Sequence, residues 1–297
     1  STEDRVKFWC LQTLVDVVKV QRRYEQLPED QKRVIRAALS SWVQSRSGVQ
    51  SDQAPYIMNK FAQLLVQVVR IDYPHAWPEV FPQLFAHLQN GPAAIDMFLR
   101  ILDSIHEEVV SSEGGGYDSK VAQRVKDGMR SQCLPQMADA WLSILKLQGA
   151  PALVAMCLNT VHMYIPWIDI SLVANRPFLE LLLAFVHEPQ LHEGACLCLS
   201  DIVAKRMEPQ PKLEHLVQLS MVQLLGEAAG KGGEALMTAP FSTLASSLCL
   251  ELLDCWDRLS MREPRRADHA ALAAQASLHL QQCMPLLLSC LGAADMD

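Results

Sequence analysis

The amino-acid sequence predicts an all-α fold, a superhelical solenoid built from antiparallel helix pairs. Apolar residues recur at three- and four-residue spacing through most of the 297 residues. Strand signals are nearly absent, because no alternating run of β-branched residues lies between hairpin turns. Proline- and glycine-containing breaks arrive at intervals that suit helical hairpins.

The first helix illustrates how wide the apolar surface is. Apolar side chains cover more than half of its circumference between residues 6 and 20, at Val6, Trp9, Leu11, Leu14, Val15, Val17 and Val18. A helix with so wide an apolar surface is expected to pack against neighbours on several sides.

The breaks divide the rest of the chain into hairpins. Pro28, Pro55 and Pro92 stand at or near predicted helix starts, and SSEGGGYDS (111–119) predicts a loop. One long helix is expected from this loop to Leu147, and another over residues 210–229. We therefore predict a single continuous solenoid over residues 1–297, with about six pairs at 1–47, 55–90, 92–148, 151–187, 189–229 and 237–292. Units of this length fit HEAT-type repeats, whereas tetratricopeptide and ankyrin units are shorter.

Internal similarity supports this division. At an offset of 53 residues, Lys7-Phe8 aligns with Lys60-Phe61 and Val15 aligns with Val68. Helices one unit apart therefore present the same face, as stacking of repeats requires.

The stretch DYPHAWPEVFPQLF (72–85) predicts a corner between two paired helices. Pro74 should end the first helix, and Pro78 should lie near the start of the second. Pro82 would then cost an internal hydrogen bond, so we expect the second helix to start late or to bend.

Composition narrows the possible functions. The net charge of −7 is uneven: residues 1–60 carry ten basic against seven acidic side chains, whereas residues 151–297 carry nine against sixteen. Nucleic-acid binding through the overall electrostatic field of the chain is therefore disfavoured, and any such contact must use a local basic face.

Nine cysteines without a CxxC pair indicate reduced core thiols. Apolar runs are too short to span a bilayer, so no membrane insertion is expected. The chain begins without Met, so we expect a portion of a longer protein.

Motifs for catalysis and metal binding are weak. Gly226, Gly230 and Lys231 imitate a phosphate-binding loop, but the spacing is one residue short and no strand precedes them, so we predict a flexible loop. His192 and Cys196 lie four residues apart, yet a packed helix explains them better than a metal site. His106-Glu107-Glu108 is interpreted as solvated surface. We predict that the protein is not an enzyme and needs no cofactor or metal.

Cations on second helices are the candidate binding residues. Lys126 and Arg130 share the flank opposite an apolar stripe, and Arg33 and Arg36 are arranged similarly beside Lys32. Second helices commonly line the concave side, where a solenoid holds its ligand. The alternative of a solvated charged face stays open. Trp42, Trp77, Trp141 and Trp256 are interpreted as inter-helix packing rather than as base-stacking residues.

Several stretches carry a resemblance to a known family. The motif YPHAWPEVFPQLF is similar to early repeats of the importin-β/karyopherin superfamily. More specific stretches, which reach to about residue 215, resemble the exportin-T family: VKFWCLQTL (6–14), YIMNKFAQLLV (56–66), FLRILDSIHEEVV (98–110), VKDGMRSQCLPQMADAWLSIL (125–145), YIPWIDISLVAN (164–175) and HEGACLCLSDIVAKRMEP (192–209).

This resemblance implies a nuclear export receptor for tRNA that shuttles between nucleus and cytoplasm through contacts with nuclear pore proteins. It implies cooperative binding of tRNA and Ran-GTP, with the GTP carried by Ran. The chain would be an N-terminal portion lacking the first repeat. Under the same implication, Arg33 and Arg36 become candidates for Ran, and Lys126 and Arg130 for tRNA or Ran. A karyopherin with protein cargo and a HEAT-repeat scaffold are the alternatives.

Overall fold

The structure is a computed structural model that describes residues 2–45, 53–111, 117–236, 238–261 and 267–294. These ranges contain fourteen α-helices and no β-strand, which confirms the predicted all-α class. The helices are α1 (Thr2–Lys19), α2 (Glu29–Gln44), α3 (Pro55–Asp72), α4 (Val80–His87), α5 (Pro92–Ile105), α6 (Tyr117–Gln132), α7 (Leu134–Leu145), α8 (Pro151–Tyr164), α9 (Arg176–Phe185), α10 (His192–Ala204), α11 (Pro209–Gln218), α12 (Met221–Gly232), α13 (Ala239–Met261) and α14 (Ala267–Ala294).

The chain forms two compact units, residues 1–144 and 145–297. In the first unit, α1, α3 and α5 lie side by side with α3 in the middle. In the second unit, α8, α10 and α13 lie side by side with α10 in the middle. First helices of successive predicted pairs thus form a layer within each unit. One continuous solenoid of six pairs over 1–297 stays a prediction.

Helix α3 forms the centre of the first unit. Its buried side chains point in several directions around the helix and include Phe61, Ala62, Val66 and Val69. Val15 of α1 and its counterpart Val68 of α3 are both buried, which agrees with the internal similarity. Packing on two sides lets α3 remove nearly its whole apolar surface from water.

Helix α1 is less enclosed than its sequence predicts. Val15 and Val18 are buried, but Val6 and Leu14 are exposed and Trp9 is 64% exposed. The expectation of packing on several sides is wrong for α1, since α3 is its main neighbour.

Proline interrupts the long helix predicted up to Leu147. The chain instead forms α6 and α7, separated by a turn at Cys133. Pro135 has no amide proton to donate and its ring crowds the preceding turn, so the helix is interrupted at this point. Hydrogen bonds from Cys133 N to Met129 O (3.0 Å) and from Met137 N to Cys133 O (2.9 Å) join the turn to both segments.

A second break divides the helix predicted over residues 210–229. Helix α11 ends at Gln218, and Ser220 adopts a left-handed conformation with φ of 53° before α12 begins. Neither glycine nor proline marks this position in the sequence. The prediction of a loop in the glycine-rich segment that follows is wrong, because Gly226, Gly230 and Lys231 all lie within α12.

The corner at residues 72–85 follows its prolines. Helix α3 ends at Asp72, and Tyr73 is extended, as expected before Pro74. Helix α4 begins at Val80, two residues after Pro78, which confirms the late start. Pro82 is therefore the third residue of α4, where its missing amide proton costs no internal hydrogen bond.

The tryptophans divide into packed and exposed residues. Trp77 and Trp141 are buried, and Trp42 stacks on Phe61 with ring centroids 3.6 Å apart. These three confirm the packing interpretation. Trp256 departs from it, because it is 40% exposed on α13.

Gly128 of α6 lets that helix approach the corner closely. A Cβ atom at this position would lie 2.8 Å from Tyr73 Cε1 and 3.0 Å from Pro74 Cβ and Cγ. The Tyr73 ring is buried and packs edge-on against Phe81, so it has little room to move. Gly226 of α12 differs, because a Cβ atom there would meet nothing within 4 Å.

Gly128→Ala should therefore destabilise the protein by about 1–3 kcal/mol through overpacking. Gly226→Ala is the matched control and should be neutral or stabilising by about 0.5–1 kcal/mol, because alanine favours the helix. Urea unfolding followed by circular dichroism measures both. Equal stabilities of the two variants would contradict the close approach.

His162 of α8 and Asp201 of α10 form an ion pair in the second unit through Nδ1 and Oδ2. The hydrogen bond that His162 Nδ1 donates to the Asp201 carboxylate is the main reason that the pKa of His162 is raised, while partial burial opposes this effect. The pair joins the central helix of the layer to its neighbour.

The stability that this pair contributes should depend on pH. Because the folded-state pKa lies above the unfolded value of about 6.5, the contribution is complete below that pH and is lost as pH rises through the folded pKa. The stability difference between the wild type and His162→Gln should accordingly shrink from acidic to mildly basic pH in unfolding experiments. Asp201→Asn should remove the same dependence; a difference that grows with pH would contradict the pairing.

Candidate functional site

Arg36 lies at the centre of a buried polar network in the first unit. Its side chain is 8% exposed. Nη1 donates to Asp72 Oδ2 at 2.7 Å, and Nη2 donates to Glu29 Oε1. Tyr24 donates its hydroxyl proton to the same Asp72 oxygen at 2.5 Å. The network joins the start of α2, the 3-10 turn Tyr24–Gln26 and the last residue of α3.

Arg36 stays positively charged in this network although its side chain is buried. Burial would lower the pKa of Arg36, but hydrogen bonds with Glu29 and Asp72 raise it overall. Burial and the Asp72 carboxylate raise the pKa of Tyr24. Arg36 is thus a cation that stays charged and fastens α2 to the end of α3.

The structure corrects the predicted shared flank of Arg33 and Arg36. Arg33 is exposed, whereas Arg36 is turned inward because Asp72 and Glu29 pair with it. Lys32 lies near the network, with Nζ 5.5 Å from the centre of the Tyr24 ring and donating to Glu25 O at 3.2 Å. Arg33 is consequently the cation of this pair that is placed to meet a partner.

Lys126 and Arg130 share one flank of α6, as predicted, but in different environments. Lys126 is half-buried, and its Nζ donates to Val110 O at 3.3 Å. Arg130 is exposed and pairs with Asp127 at 2.9 Å. Desolvation is the main reason that the pKa of Lys126 is lowered, and the nearby charge of Arg130 adds to the effect. The two cations therefore lie close enough to influence one another.

Basic side chains cap the carboxyl ends of helices in both units. Arg124 Nη2 donates to the carbonyl of Arg70 at 2.6 Å and to that of Ile71 at 3.2 Å, at the end of α3. In the second unit, Lys205 donates to the carbonyls of Ile165 and Ile168 at 2.7 and 2.8 Å after α8. Cations satisfy the unpaired carbonyls and favour the negative end of the helix dipole.

The sequence interpretation of Glu108 as solvated surface is wrong. It lies in the π-helical turn His106–Val110, is 13% exposed, and accepts hydrogen bonds from Lys19 at 2.5 Å, from Gln67 at 2.9 Å and from Gln63. Burial would raise the pKa of Glu108, but these donors lower it overall. Glu108 thereby joins the end of α1 to the middle of α3.

A small basic cleft adjoins this cluster. Its polar lining includes Lys19, Arg22, Glu25, Gln67 and Arg70. Arg22 and Arg70 beside Gln67 can donate hydrogen bonds to an anionic oxygen such as that of a phosphate or carboxylate, whereas Lys19 already pairs with Glu108, and Glu25 lies 3.9 Å from Arg22. No pattern in the sequence indicates this cleft, because no single-helix periodicity brings positions 19, 22 and 70 together.

A larger groove of 550 Å³ lies in the second unit. Leu216, Met221, Val222 and Leu252 make its lining mostly apolar, with His279 at its polar edge. Such a lining is unsuited to phosphate groups.

The residues considered for metal binding have other partners. His192 contacts Val186 O through Nδ1 at 2.6 Å and Thr238 Oγ1 through Nε2 at 2.5 Å, so both ring nitrogens are occupied. Across the described ranges, three or more His, Cys, Asp or Glu side chains nowhere cluster in a way that could hold a metal ion. The helices described are all too short or too polar to cross a membrane.

Comparison with known proteins extends these observations. Residues 54–199 match the family described as Exportin 1-like protein. The chain is 34% identical to exportin-T of Arabidopsis thaliana over 275 residues, 88% of this chain. It is 32% identical to exportin-T of Mus musculus over 306 residues, 100% of this chain, and 33% identical to that of Homo sapiens over 267 residues, 87% of this chain.

The chain belongs to the exportin-T family. The resemblance based on the six quoted stretches is confirmed, and the match with the mouse exportin-T reaches the final third of the chain, where the sequence stretches resembled the family only weakly. The chain spans under a third of the length of these exportin-T relatives: 28%, 31% and 27% of the Arabidopsis, mouse and human proteins.

Within this member of the exportin-T family, the Arg36 network should be structurally essential and Arg33 should not. Arg36→Ala leaves Asp72 buried without its cation and should cost about 3–5 kcal/mol of unfolding free energy. Arg33→Ala on the same helix should change it by less than about 0.5 kcal/mol. Chemical denaturation of the two variants checks this; similar losses would mean that Arg36 does not hold α2 in place.

Proposed function

We propose that the full-length protein is a nuclear export receptor that binds tRNA cooperatively with Ran-GTP and carries it through the nuclear pore. It would shuttle between nucleus and cytoplasm and contact nuclear pore proteins on the way. The observation that supports this most strongly is the identity of 32–34% with proteins named exportin-T along 87–100% of the chain.

The architecture suits a large ligand that is recognised by its shape. Stacked helix pairs present an extended surface, and double-helical RNA exposes its backbone and 2′-hydroxyls rather than readable major-groove edges. A protein that reads shape needs cations at spaced positions more than it needs a deep pocket. Arg33, Arg130 and the two arginines of the cleft, Arg22 and Arg70, supply such cations in the first unit.

The acidic balance of the chain agrees with a cooperative mechanism. A net charge of −7 opposes long-range attraction of RNA, so the first unit must act locally and Ran must contribute part of the binding energy. The chain described here should therefore bind tRNA weakly by itself.

The residues take different roles in this proposal. Arg33 contacts Ran directly, whereas Arg36 acts indirectly by holding α2 in position. Lys126 and Arg130 contact tRNA phosphates or Ran. The protein itself needs no cofactor and performs no catalysis, because Ran carries the GTP and its hydrolysis releases the cargo.

Filter binding of the full-length protein to labelled tRNA, with and without Ran-GTP, tests the proposal. Retention of tRNA that depends on Ran-GTP is the expected result. Binding of Ran-GTP without tRNA would instead favour a karyopherin with protein cargo. Binding of neither would favour a HEAT-repeat scaffold.

Charge reversal on α6 tests the assigned cations. Lys126→Glu combined with Arg130→Glu should weaken the ternary complex about tenfold to a hundredfold and reduce the salt slope by about one to two, because up to two phosphate contacts are lost. Arg176→Glu, an exposed reversal in the second unit, is the matched control.

The substitution of the half-buried Lys126 could disturb folding. Arg130→Glu alone avoids this problem, because Arg130 is exposed, and it still tests the binding surface. Circular dichroism of each variant separates the two effects. Unchanged affinity for both tRNA and Ran-GTP in folded variants would remove Lys126 and Arg130 from the binding surface.

A further inference from the structure

The groove in the second unit combines an apolar floor with an open side. Leu216, Met221 and Leu252 line it from three different helices, and each of these side chains is at most 2% exposed. Gln223 and Gly226 of α12 also line it and are exposed to solvent. The volume of 550 Å³ lies within the range of about 300–1,000 Å³ that is typical of ligand sites. The groove can therefore receive several apolar side chains from outside the fold.

Gly226 leaves space along one wall of this groove. A Cβ atom at this position would meet nothing within 4 Å in the described part of the chain. Glycine is unfavourable inside a helix, and a common reason for its presence is that another molecule approaches the backbone closely. The space beside Gly226 is thus available to the side chains of a partner.

The backbone at Ser220 is strained beside the same groove. Ser220 lines the groove and has a φ of 53°, which is uncommon for a residue other than glycine. Such conformations are concentrated at ligand-binding and switching sites. The Ser220 carbonyl accepts a hydrogen bond from Leu224 N at 2.9 Å, so the strained residue also begins α12. Strain therefore occurs where α11 and α12 meet along the groove.

Carboxylates flank the apolar floor. Gln223, a lining residue, donates from Nε2 to Glu227 Oε1 at 2.8 Å. Glu214 lies three residues before the lining residue Val217 on α11, so the two are neighbours on the helix surface. Both carboxylates are exposed, and their amide donors, Gln223 and Gln210, are neutral and do not cancel their charge.

The helices around the groove are acidic as a group. Helices α11 to α14 carry six acidic side chains against three basic ones. Lys212 is buried and pairs with Glu251 at 2.9 Å, and Arg258 pairs with Asp254 at 3.3 Å and with Glu208 at 3.4 Å. A negative surface of this kind attracts a cationic partner and repels RNA phosphates.

We infer that the groove binds a basic amphipathic helical segment of a protein partner. The apolar face of the segment fills the groove with side chains at positions i, i+3 or i+4, and i+7. Lysine or arginine side chains at the edge of that face pair with Glu214 and Glu227. This inference goes beyond the contacts with tRNA and Ran that are proposed for the cations of the first unit.

Fluorescence anisotropy of the RNA-free full-length protein tests the inference. The probe is a labelled helical peptide of leucine and lysine that has leucines at i, i+3, i+4 and i+7. This peptide should bind about threefold to tenfold more tightly than the same peptide with glutamine in place of lysine, and more than about tenfold more tightly than one with glutamate. Added salt should weaken its binding, because the paired carboxylates are exposed.

Filling the groove tests the location of the binding site. Gly226→Leu places a side chain in the open space and should weaken binding of the leucine–lysine peptide at least about tenfold. Gly230→Leu is the matched control on the same helix: a Cβ atom there also meets nothing within 4 Å, but Gly230 does not line the groove. Gly230→Leu should bind the peptide as the wild type does, and circular dichroism checks that both variants are folded.

Removal of the flanking charges tests the chemistry of the partner. Glu214→Gln combined with Glu227→Gln should abolish most of the threefold to tenfold preference for lysine over glutamine in the peptide, because about two ion pairs are lost. Glu188→Gln combined with Glu193→Gln removes two exposed carboxylates of the same unit that do not line the groove, and it should keep the preference.

Three results would overturn the inference. The first is no binding of the leucine–lysine peptide to folded full-length protein, or equal binding to wild type and Gly226→Leu. The second is equal binding of the lysine, glutamine and glutamate peptides, since the groove would then accept apolar segments regardless of charge. The third is self-association of the protein that Gly226→Leu removes, because the occupant would then be a second copy of this chain.

Discussion

The enclosure of α3 is the constraint on which the first unit depends. A helix with apolar residues around most of its circumference cannot be stable in a single hairpin, because one partner covers one side. Neighbours on two sides solve this problem for α3, and residues such as Ala62 and Val66 are fully buried as a result. Each fully buried valine contributes about 1.5–3 kcal/mol relative to an exposed one. The layer of α1, α3 and α5 therefore follows from the composition of the middle helix.

Charged residues of the first unit have two kinds of role, and their partners within the fold distinguish them. Arg36, Lys19 and Arg124 pair with carboxylates or helix-end carbonyls and position the helices. Arg33 and Arg130 have exposed side chains that can meet a partner. The two kinds are connected, because the surface that carries Arg33 is positioned by Arg36. A surface that binds a large ligand through spaced cations requires such rigid support.

Two acidic side chains inside the first unit, Asp72 and Glu108, bind the cations that position the helices. Asp72 holds both Arg36 and Tyr24, and Glu108 holds Lys19 together with two glutamines. Each carboxylate lies at or near the end of a helix in the central layer. Each of these carboxylates pairs with one cation, so the pairs hold helices together without changing the net charge of the unit.

The sequence by itself determined the helical class, the repeat corner at residues 72–85 and the family, because these depend on local periodicity, proline chemistry and quoted stretches of residues. It also identified Lys126 and Arg130 as neighbours, since both lie on one helix. It could not distinguish Arg33 from Arg36, because both are arginines on α2 and only the distant Asp72 turns one of them inward. The roles of Glu108 and of the cleft around Arg22 were inaccessible for the same reason. Each joins residues from different helices, so only the tertiary packing decides which side chains meet, and burial then decides whether a charge supports the fold or faces a partner.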